Sequence, residues 1–302
     1  MRKFLFKFAI LFLLILVTMT AIILIPAPEN TYMRAMIDKH QRLANTVSPR
    51  IVLVGGSNLA FGIDSKAMQD TLNIPVVNTG IHAGIGLGRM LDDAAPFLHT
   101  GDIVVIAPEY SHFTSDWNGS SSVLYKLIFD TRRHSLIAHK PFYSHPSYLD
   151  FFIYAKNKLL SFIPRPPHPL AYTRDGFNEY GDYVKHLEQE NQPITPAETI
   201  GEINTQYLSS FFKLADYLTG QGIRVIITYP SYATTTFQNS ATVIHKLDAA
   251  FRAKQNISVI SSPDDYCFPV DYFYDTTYHL NAKGRKIRTE RLIQDLKRQL
   301  GQ

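Results

Sequence analysis

Three short stretches of this chain carry side chains able to act together on a carbonyl carbon. Ser57 lies in Val54-Gly55-Gly56-Ser57-Asn58, directly after an apolar run. A serine hydroxyl is a weak nucleophile until a nearby base takes its proton. The two glycines before it let the chain turn sharply, so that backbone N–H groups can face a developing oxyanion. Asn78-Thr79-Gly80 follows a second apolar run, and Gly80 can bring its N–H to the same place with no side chain in the way. Near the C-terminus, Asp275 and His279 stand just before Asn281. There His279 can serve as the base and Asp275 can fix its tautomer. Taken singly these are ordinary features: a loop serine, a turn glycine and a surface hydrogen bond. Their weight lies in the combination.

Joint action requires elements that bring the three loops together. Ile51–Val54, Val76–Asn78, Ile103–Ala107, Ile223–Thr228 and Ile257–Ile260 are short continuous apolar runs, the pattern of strands buried on both faces of a parallel sheet. Between them, Tyr207, Phe211, Leu214 and Leu218 keep helical spacing and are closed by Gly220 and Gly222. Leu87 to Leu98, Ala241 to Lys254 and Asn281 to Leu300 are further helices, the last with Asn281 as N-cap, and a helix is expected to begin near Asp64 or Ser65. Strands alternating with helices predict a doubly wound α/β sheet, whose sites form outside the carboxyl ends of the strands. That places three loops in one crevice.

The N-terminus is of another kind. Met1-Arg2-Lys3 and Lys7 precede an uncharged apolar run from Phe8 to Pro26, about long enough to cross a bilayer at ~20 residues. The run ends Leu-Ile-Pro-Ala-Pro without a small-residue cleavage pattern, so an uncleaved signal anchor is expected over residues 1–29. Basic residues before the run favour a cytoplasmic N-terminus and an extracytoplasmic main domain, with Arg34, Lys39 and Arg42 on the far side. Residues 30–49 read as a stalk or a first helix, and residues 50–302 as the α/β domain. From about residue 111 to 199 the strand–helix rhythm breaks. The stretch is aromatic and rich in proline (Pro164, Pro166, Pro167, Pro169), and reads as an insertion that forms a cap or wall, rests on the membrane, or packs as helices on the sheet.

Composition narrows the function classes. Hydrophobic residues make up 45% and charged residues 19% of 302, ordinary globular usage that indicates neither disorder nor a multi-pass membrane protein. A single cysteine, Cys267, excludes an intramolecular disulfide and a cysteine-based zinc site. The eleven histidines form no H-E-x-x-H or similar ligand set, so neither a metal nor a cofactor is expected. Gly84-Ile-Gly86-Leu-Gly88 lacks the lysine of a P-loop and the full dinucleotide spacing, and is expected to shape the loop after the second strand. Residues 123–174 mix basic and aromatic residues, including Phe142, Tyr143, Phe151, Phe152 and Tyr154, which suits a membrane interface or an anionic glycan. No nucleic-acid motif appears. Trp117 reads either as a sugar-stacking ring or as a buried anchor.

Together the Ser57, Gly80 and Asp275/His279 blocks resemble the SGNH/GDSL hydrolase family over roughly residues 50–112 and 220–300. The resemblance implies a flavodoxin-like three-layer sandwich with a parallel sheet. It also implies acyl-ester chemistry: Ser57 attacks, His279 is the base, Asp275 orients it, and the Ser57 and Gly80 N–H groups bind the oxyanion. Asn58, Glu109 and Tyr110 join Gly80 in the implied oxyanion and substrate-binding set. The chain departs from the family in three places. Gly56 stands where Gly-Asp-Ser is usual. Ala107-Pro108-Glu109-Tyr110 offers a carboxylate where an asparagine donates, so an ionised Glu109 must meet a cation, the histidine or a sugar hydroxyl, or else be protonated by burial. Asp275 precedes His279 by four positions instead of three, with Asp271 as the other candidate.

Membrane-anchored variants of this kind resemble proteins of envelope polysaccharide modification, including alginate acetylation and teichoic-acid D-alanylation. Phe177-Asn-Glu-Tyr-Gly-Asp-Tyr183 is similar to exopolysaccharide-biosynthesis relatives. The expected function is a serine esterase or O-acyltransferase on an acylated envelope polysaccharide or lipid-linked saccharide, alongside envelope polysaccharide assembly partners. The competing expectation is a non-catalytic glycan-binding or scaffold protein on the same fold.

Overall fold

Each of the five runs contains a strand, and Ile51–Gly55 and Ile103–Ala107 are buried at every position, because a short run of apolar side chains requires both faces to be covered. The computed structural model describes residues 1–132, 148–163, 171–194 and 199–302. In chain order its strands are β1 (Ile51–Gly55), β2 (Val76–Asn78), β3 (Ile103–Ala107), β4 (Arg224–Ile227), β5 (Tyr232–Ala233), β6 (Ser258–Val259) and β7 (Cys267–Phe268). The main sheet is parallel throughout, in the order β2-β1-β3-β4-β6, while β5 and β7 form a separate pair.

The helices are α1 (Arg2–Leu24), α2 (Ala35–Asn45), α3 (Ser57–Gly62), α4 (Ser65–Leu72), α5 (Leu87–Ala94), α6 (Ser121–Asp130), α7 (Tyr148–Ser161), α8 (Thr205–Gly220), α9 (Thr234–Arg252) and α10 (Ala282–Leu300). The chain divides into two compact units, one of residues 35–119 and 175–302 and the other of residues 1–34 and 120–174.

In the first unit the register sets Leu53 beside Val105 and Val105 beside Ile226. This row packs against Leu59 of α3, Met68 and Leu72 of α4, and Leu292 and Leu296 of α10. Burying each such side chain contributes roughly 1.5–3 kcal/mol. The alternate row, Val52, Val54, Val104 and Ile106, is equally buried, so both faces of the sheet are covered. On α8, α9 and the turn after β3, Phe211, Phe251 and Phe113 form an edge-to-face cluster that Trp117 joins. Trp117 is therefore a buried anchor, closed by Gly88, where an added Cβ would lie 2.8 Å from its ring. Gly86 and Gly119 both have positive φ and approach so closely that neither tolerates a side chain, which is how the glycine-rich loop shapes the chain after β2.

Caps fix the helix entrances that matter for the site. Asp64 accepts from Ala67 N at 3.0 Å to start α4, and Asn281 accepts from Gly284 N at 3.1 Å to start α10. Each such cap is worth about 1 kcal/mol. Two local expectations need adjustment. α9 begins at Thr234, seven residues before the expected Ala241, because Phe237 continues the buried stripe of Ile244, Leu247 and Phe251 through a threonine-rich turn. α3 begins at Ser57 itself, ahead of the helix that starts at Ser65.

Domain boundaries differ from the sequence reading as well. Of the two readings of residues 30–49, the first helix is the one present: α2 buries Met36, Lys39 and Leu43 within the α/β unit. The described residues between 111 and 199 fall in both units. Residues 120–174 belong to the unit that holds α1, whereas residues 175–194 belong to the α/β unit. The prolines at 164, 166, 167 and 169, with Phe142 and Tyr143, lie outside the described residues.

In the second unit, α1 is 23 residues long and apolar enough to cross a membrane. Its C-terminal part meets α7, where Ile23 and Met19 pack with Tyr154, Ala155 and Phe151 of α7 and with Tyr125 and Phe129 of α6. Glu29 pairs with Arg34 at 2.8 Å and Arg174 at 3.1 Å, and Thr31 bridges Thr173, closing the unit on itself.

Candidate active site

Ser57 is the first residue of α3, directly beyond the carboxyl end of β1. Its N–H is one of the first amides of a helix, which lack intrahelical acceptors. The side chain is half-buried, and its Oγ donates to Glu109 Oε1 at 3.4 Å. Glu109 arrives from the end of β3, where it caps a short 3-10 turn and is nearly buried. The same Oε1 also accepts from Asn58 N at 3.2 Å and Asn58 Nδ2 at 3.3 Å. The carboxyl group thus meets the Ser57 hydroxyl and both N–H groups of Asn58.

His279 sits in the turn before α10. Its Nδ1 lies 2.8 Å from Asp275 Oδ1, which sets Nδ1–H and leaves Nε2 as the basic nitrogen. A four-residue separation suffices because the turn is tight: Phe273 bridges Leu280, Tyr274 N donates to His279 O at 2.8 Å, and His279 N donates to Thr276 Oγ1 at 3.1 Å. Asp271 is exposed and lies 3.7 Å from Lys283, so Asp275 is the partner. The imidazole stacks on Phe61 at 4.0 Å and 8°. Phe61 is one helical turn from Ser57 on α3, so the serine and the face that carries the histidine share one short helix.

Three expected binding residues have other work. The Gly80 N–H donates to Asn78 Oδ1 at 3.0 Å, so it is not turned toward an oxyanion. Gly80 is nonetheless needed, because a Cβ there would lie 2.7 Å from both Gly56 O and Leu59 Cβ. Asn58 is fully buried and its amide is spent on Ala107 O, Glu109 and Arg288, so it is a tie and not a substrate ligand. Tyr110 is buried against Tyr232 at 5.2 Å and its N–H donates to the Tyr278 hydroxyl at 3.4 Å, which places it in the core.

Comparison with protein-family models, curated proteins and solved structures finds no match to this chain.

Several buried groups behind the site carry no local sequence signal. Arg288 of α10 is fully buried and donates to Asn58 Oδ1 at 2.8 Å, to Asn58 O, to Tyr229 O at 3.3 Å and to Ser231 Oγ at 3.4 Å. Burial lowers its pKa to about 10. Asp182, from the Phe177–Tyr183 turn, accepts from Ser65 N at 2.8 Å and Asn78 Nδ2 at 2.9 Å, and pairs with Arg285 at 3.3 Å. It thereby ties α4, the loop after β2 and α10 together.

His186 packs on Phe61 at 4.8 Å and donates from Nε2 to Leu280 O at 2.9 Å. Burial, with His279 close by, lowers its pKa to about 4. His112 accepts Glu109 N at Nδ1 (3.1 Å) and donates from Nε2 to Ala83 O (3.1 Å), a pairing that only the neutral ring satisfies. Its burial lowers the pKa in agreement with that. Arg288 and Arg285 stand three apart on α10, a spacing legible in the sequence, but Asn58, which Arg288 holds, and Ile63 and Asp182, which Arg285 holds, lie more than a hundred residues away.

Proposed function

We propose that this chain is a membrane-anchored serine esterase or O-acyltransferase of SGNH/GDSL type, acting on an acylated envelope polysaccharide or lipid-linked glycan through an acyl-serine intermediate. The observation that carries it is the Asp275–His279 pair, with its imidazole stacked on the helix that Ser57 begins. The strand order supports it too: counted within the main sheet alone it is 2-1-3-4-5, the order of flavodoxin-like folds.

In the reaction, Ser57 Oγ attacks the acyl carbon while His279 Nε2 takes its proton, and Asp275 stabilises the imidazolium. The imidazolium then protonates the departing alkoxide, leaving an acyl-serine. Water attacking that acyl group gives deacylation, and a sugar hydroxyl gives transfer. The Ser57 N–H supplies one oxyanion donor. α1 keeps the chain on the membrane, with the α/β domain extracytoplasmic.

The test is fluorophosphonate labelling of the full chain in detergent, with the adduct located by peptide mass. Labelling at Ser57 that is lost in Ser57→Ala and falls by ~10³-fold or more in His279→Ala supports the reading. A folded protein with no adduct defeats it. One observation favours a second reading, a glycan-binding or scaffold protein on the same fold. Glu109 holds the Ser57 hydroxyl at 3.4 Å, and a carboxylate there opposes a developing oxyanion. Binding of envelope polysaccharide by an unlabelled Ser57→Ala protein as tight as by wild type would favour that alternative.

A further inference from the structure

α7 has two faces of different character. One packs inside its own unit through Tyr154, Ala155 and Lys158, all nearly or fully buried. The other carries Leu149, Phe152, Ile153 and Leu159 in the open, with Leu149 68% and Leu159 50% exposed. With Lys156 between Phe152 and Leu159, these positions keep the three- and four-residue steps that hold side chains on one side of a helix. Exposed large apolar groups on one stripe need a cover.

The occupant follows from what α7 is fastened to. Tyr154 and Ala155 pack on Ile23 and Met19, the C-terminal part of α1, and Lys158 Nζ donates to Ile23 O at 2.7 Å. That carbonyl belongs to the last turn of α1, where helix carbonyls lack intrahelical donors and favour a cation. α7 is thus fixed at the level where the apolar helix ends. The flank of α1 is itself open from Phe4 to Val17, the surface that lipid would cover in a bilayer. With 14 residues α7 is about 21 Å long at ~1.5 Å per residue, short of the ~30 Å hydrocarbon core. Its length therefore suits lying in the interface and not spanning. Lys156 stands within the exposed stripe, and its stem can lie along apolar surface while the ammonium reaches lipid phosphate.

We infer that α7 is a second membrane contact, an interfacial helix that lays Leu149, Phe152, Ile153 and Leu159 into the acyl boundary where α1 emerges. This inference rests on the proposed membrane anchoring by α1. It makes the unit a two-point footing on lipid, in which the orientation of α1 and α7 toward the bilayer is fixed together.

The test uses the full chain carrying Cys267→Ser, with single cysteines introduced by Leu13→Cys, Phe152→Cys, Leu159→Cys or Asn157→Cys. Each is spin-labelled and reconstituted in vesicles of phosphatidylcholine and phosphatidylglycerol. Collision with oxygen, which concentrates in the bilayer, is compared with collision with a water-soluble nickel chelate. The expected result is an oxygen-to-nickel ratio severalfold higher at positions 13, 152 and 159 than at position 157. If position 13 is in lipid but 152 and 159 meet the nickel chelate as 157 does, the interfacial helix is wrong while the anchor stands. Low collision with both reagents at 152 and 159 overturns it in favour of a protein cover. If position 13 itself is in water, the anchor falls and the interfacial helix with it.

Discussion

Arg288 holds Asn58 by both of its oxygens, with Nη2 donating to Oδ1 at 2.8 Å and Nη1 to the main-chain O. Asn58 in turn donates its N–H and Nδ2 to Glu109 Oε1, the atom that accepts the Ser57 hydroxyl. A buried cation and a buried carboxylate are thus joined through one amide side chain beneath the serine. Neither charge is left alone, which is what makes their burial affordable.

Removing the guanidinium should therefore cost far more than a surface arginine. Arg288→Met leaves Asn58 Oδ1, Asn58 O and Tyr229 O without their donor and Glu109 without its counter-charge. The expected loss is about 3 kcal/mol, read as a lower urea midpoint for the full chain in detergent. Arg288→Lys recovers only part of it, because one ammonium cannot reach the fork of acceptors. A loss below ~0.5 kcal/mol, typical of surface sites, would mean that Arg288 does not organise the site.

Stability should fall on the acid side through His186. Its Nε2 donates to Leu280 O, and its buried Nδ1 has no partner among the described residues, so a second proton has no acceptor. The folded pKa is about 4, below the ordinary 6.5. Between those values the unfolded chain binds a proton that the native chain refuses. Stability is therefore full above about 6.5, is lost as pH falls toward 4 at up to ~1.4 kcal/mol per pH unit, and loses no more from this group below that. His186→Gln should make the acid limb shallower. It should not abolish it, because His112 is shifted in the same direction.

Lys39 acts in the alkaline range. Its ammonium is buried, donates to Asn78 O at 3.1 Å and to Gly181 O, and lies 4.5 Å from the Phe177 ring centre. Burial still outweighs these contacts and the pull of Asp182, bringing the pKa from 10.5 to about 7. Between pH 7 and 10.5 the unfolded chain holds the proton that the folded chain has released, so stability rises with pH across that window. Comparing urea midpoints at pH 7 and pH 9 should show this rise in wild type and a smaller one in Lys39→Met.

These buried charges also mark the limit of what the sequence discloses. β1 and β3 were legible because burial on both faces writes itself as an uninterrupted apolar run, and Asn281 was legible as a cap because capping is local. Asp275 and His279 were legible for the same reason, lying in one turn. Arg288, Asp182 and His186 were not, because a charged or imidazole side chain looks the same in sequence whether it faces water or a partner far along the chain. Residues 175–194 were hidden for a related reason: the turn from Phe177 to Tyr183 has no strand pattern, yet Asp182 within it supports α4, and His186 just after it supports Phe61. Gly80 was found, but for its N–H, when its firm role is the close approach to Gly56 and Leu59.

Gly56 and Glu109 offer the sharpest test of how the departures from the resembled family fit together. A Cβ at position 56 would lie 2.4 Å from Glu109 Oε1 and 3.0 Å from Ala83 Cα. The Glu109 carboxylate thus fills the space that the aspartate of a Gly-Asp-Ser block would need, so the missing side chain at 56 and the carboxylate at 109 are one change and not two. Gly56→Asp alone should be strongly destabilising, by overlap and by setting two carboxylates together. Glu109→Asn alone should lose the contacts with Ser57 and the Asn58 N–H. The double variant should be more stable than the two single losses predict, with a coupling of about 2 kcal/mol measured by urea unfolding of all four proteins. It should also label faster at Ser57 than Glu109→Asn, since it restores both halves of the arrangement. Strict additivity would show that the two positions do not share that space in solution, and Glu109 would then owe its place to Asn58 and His112 alone.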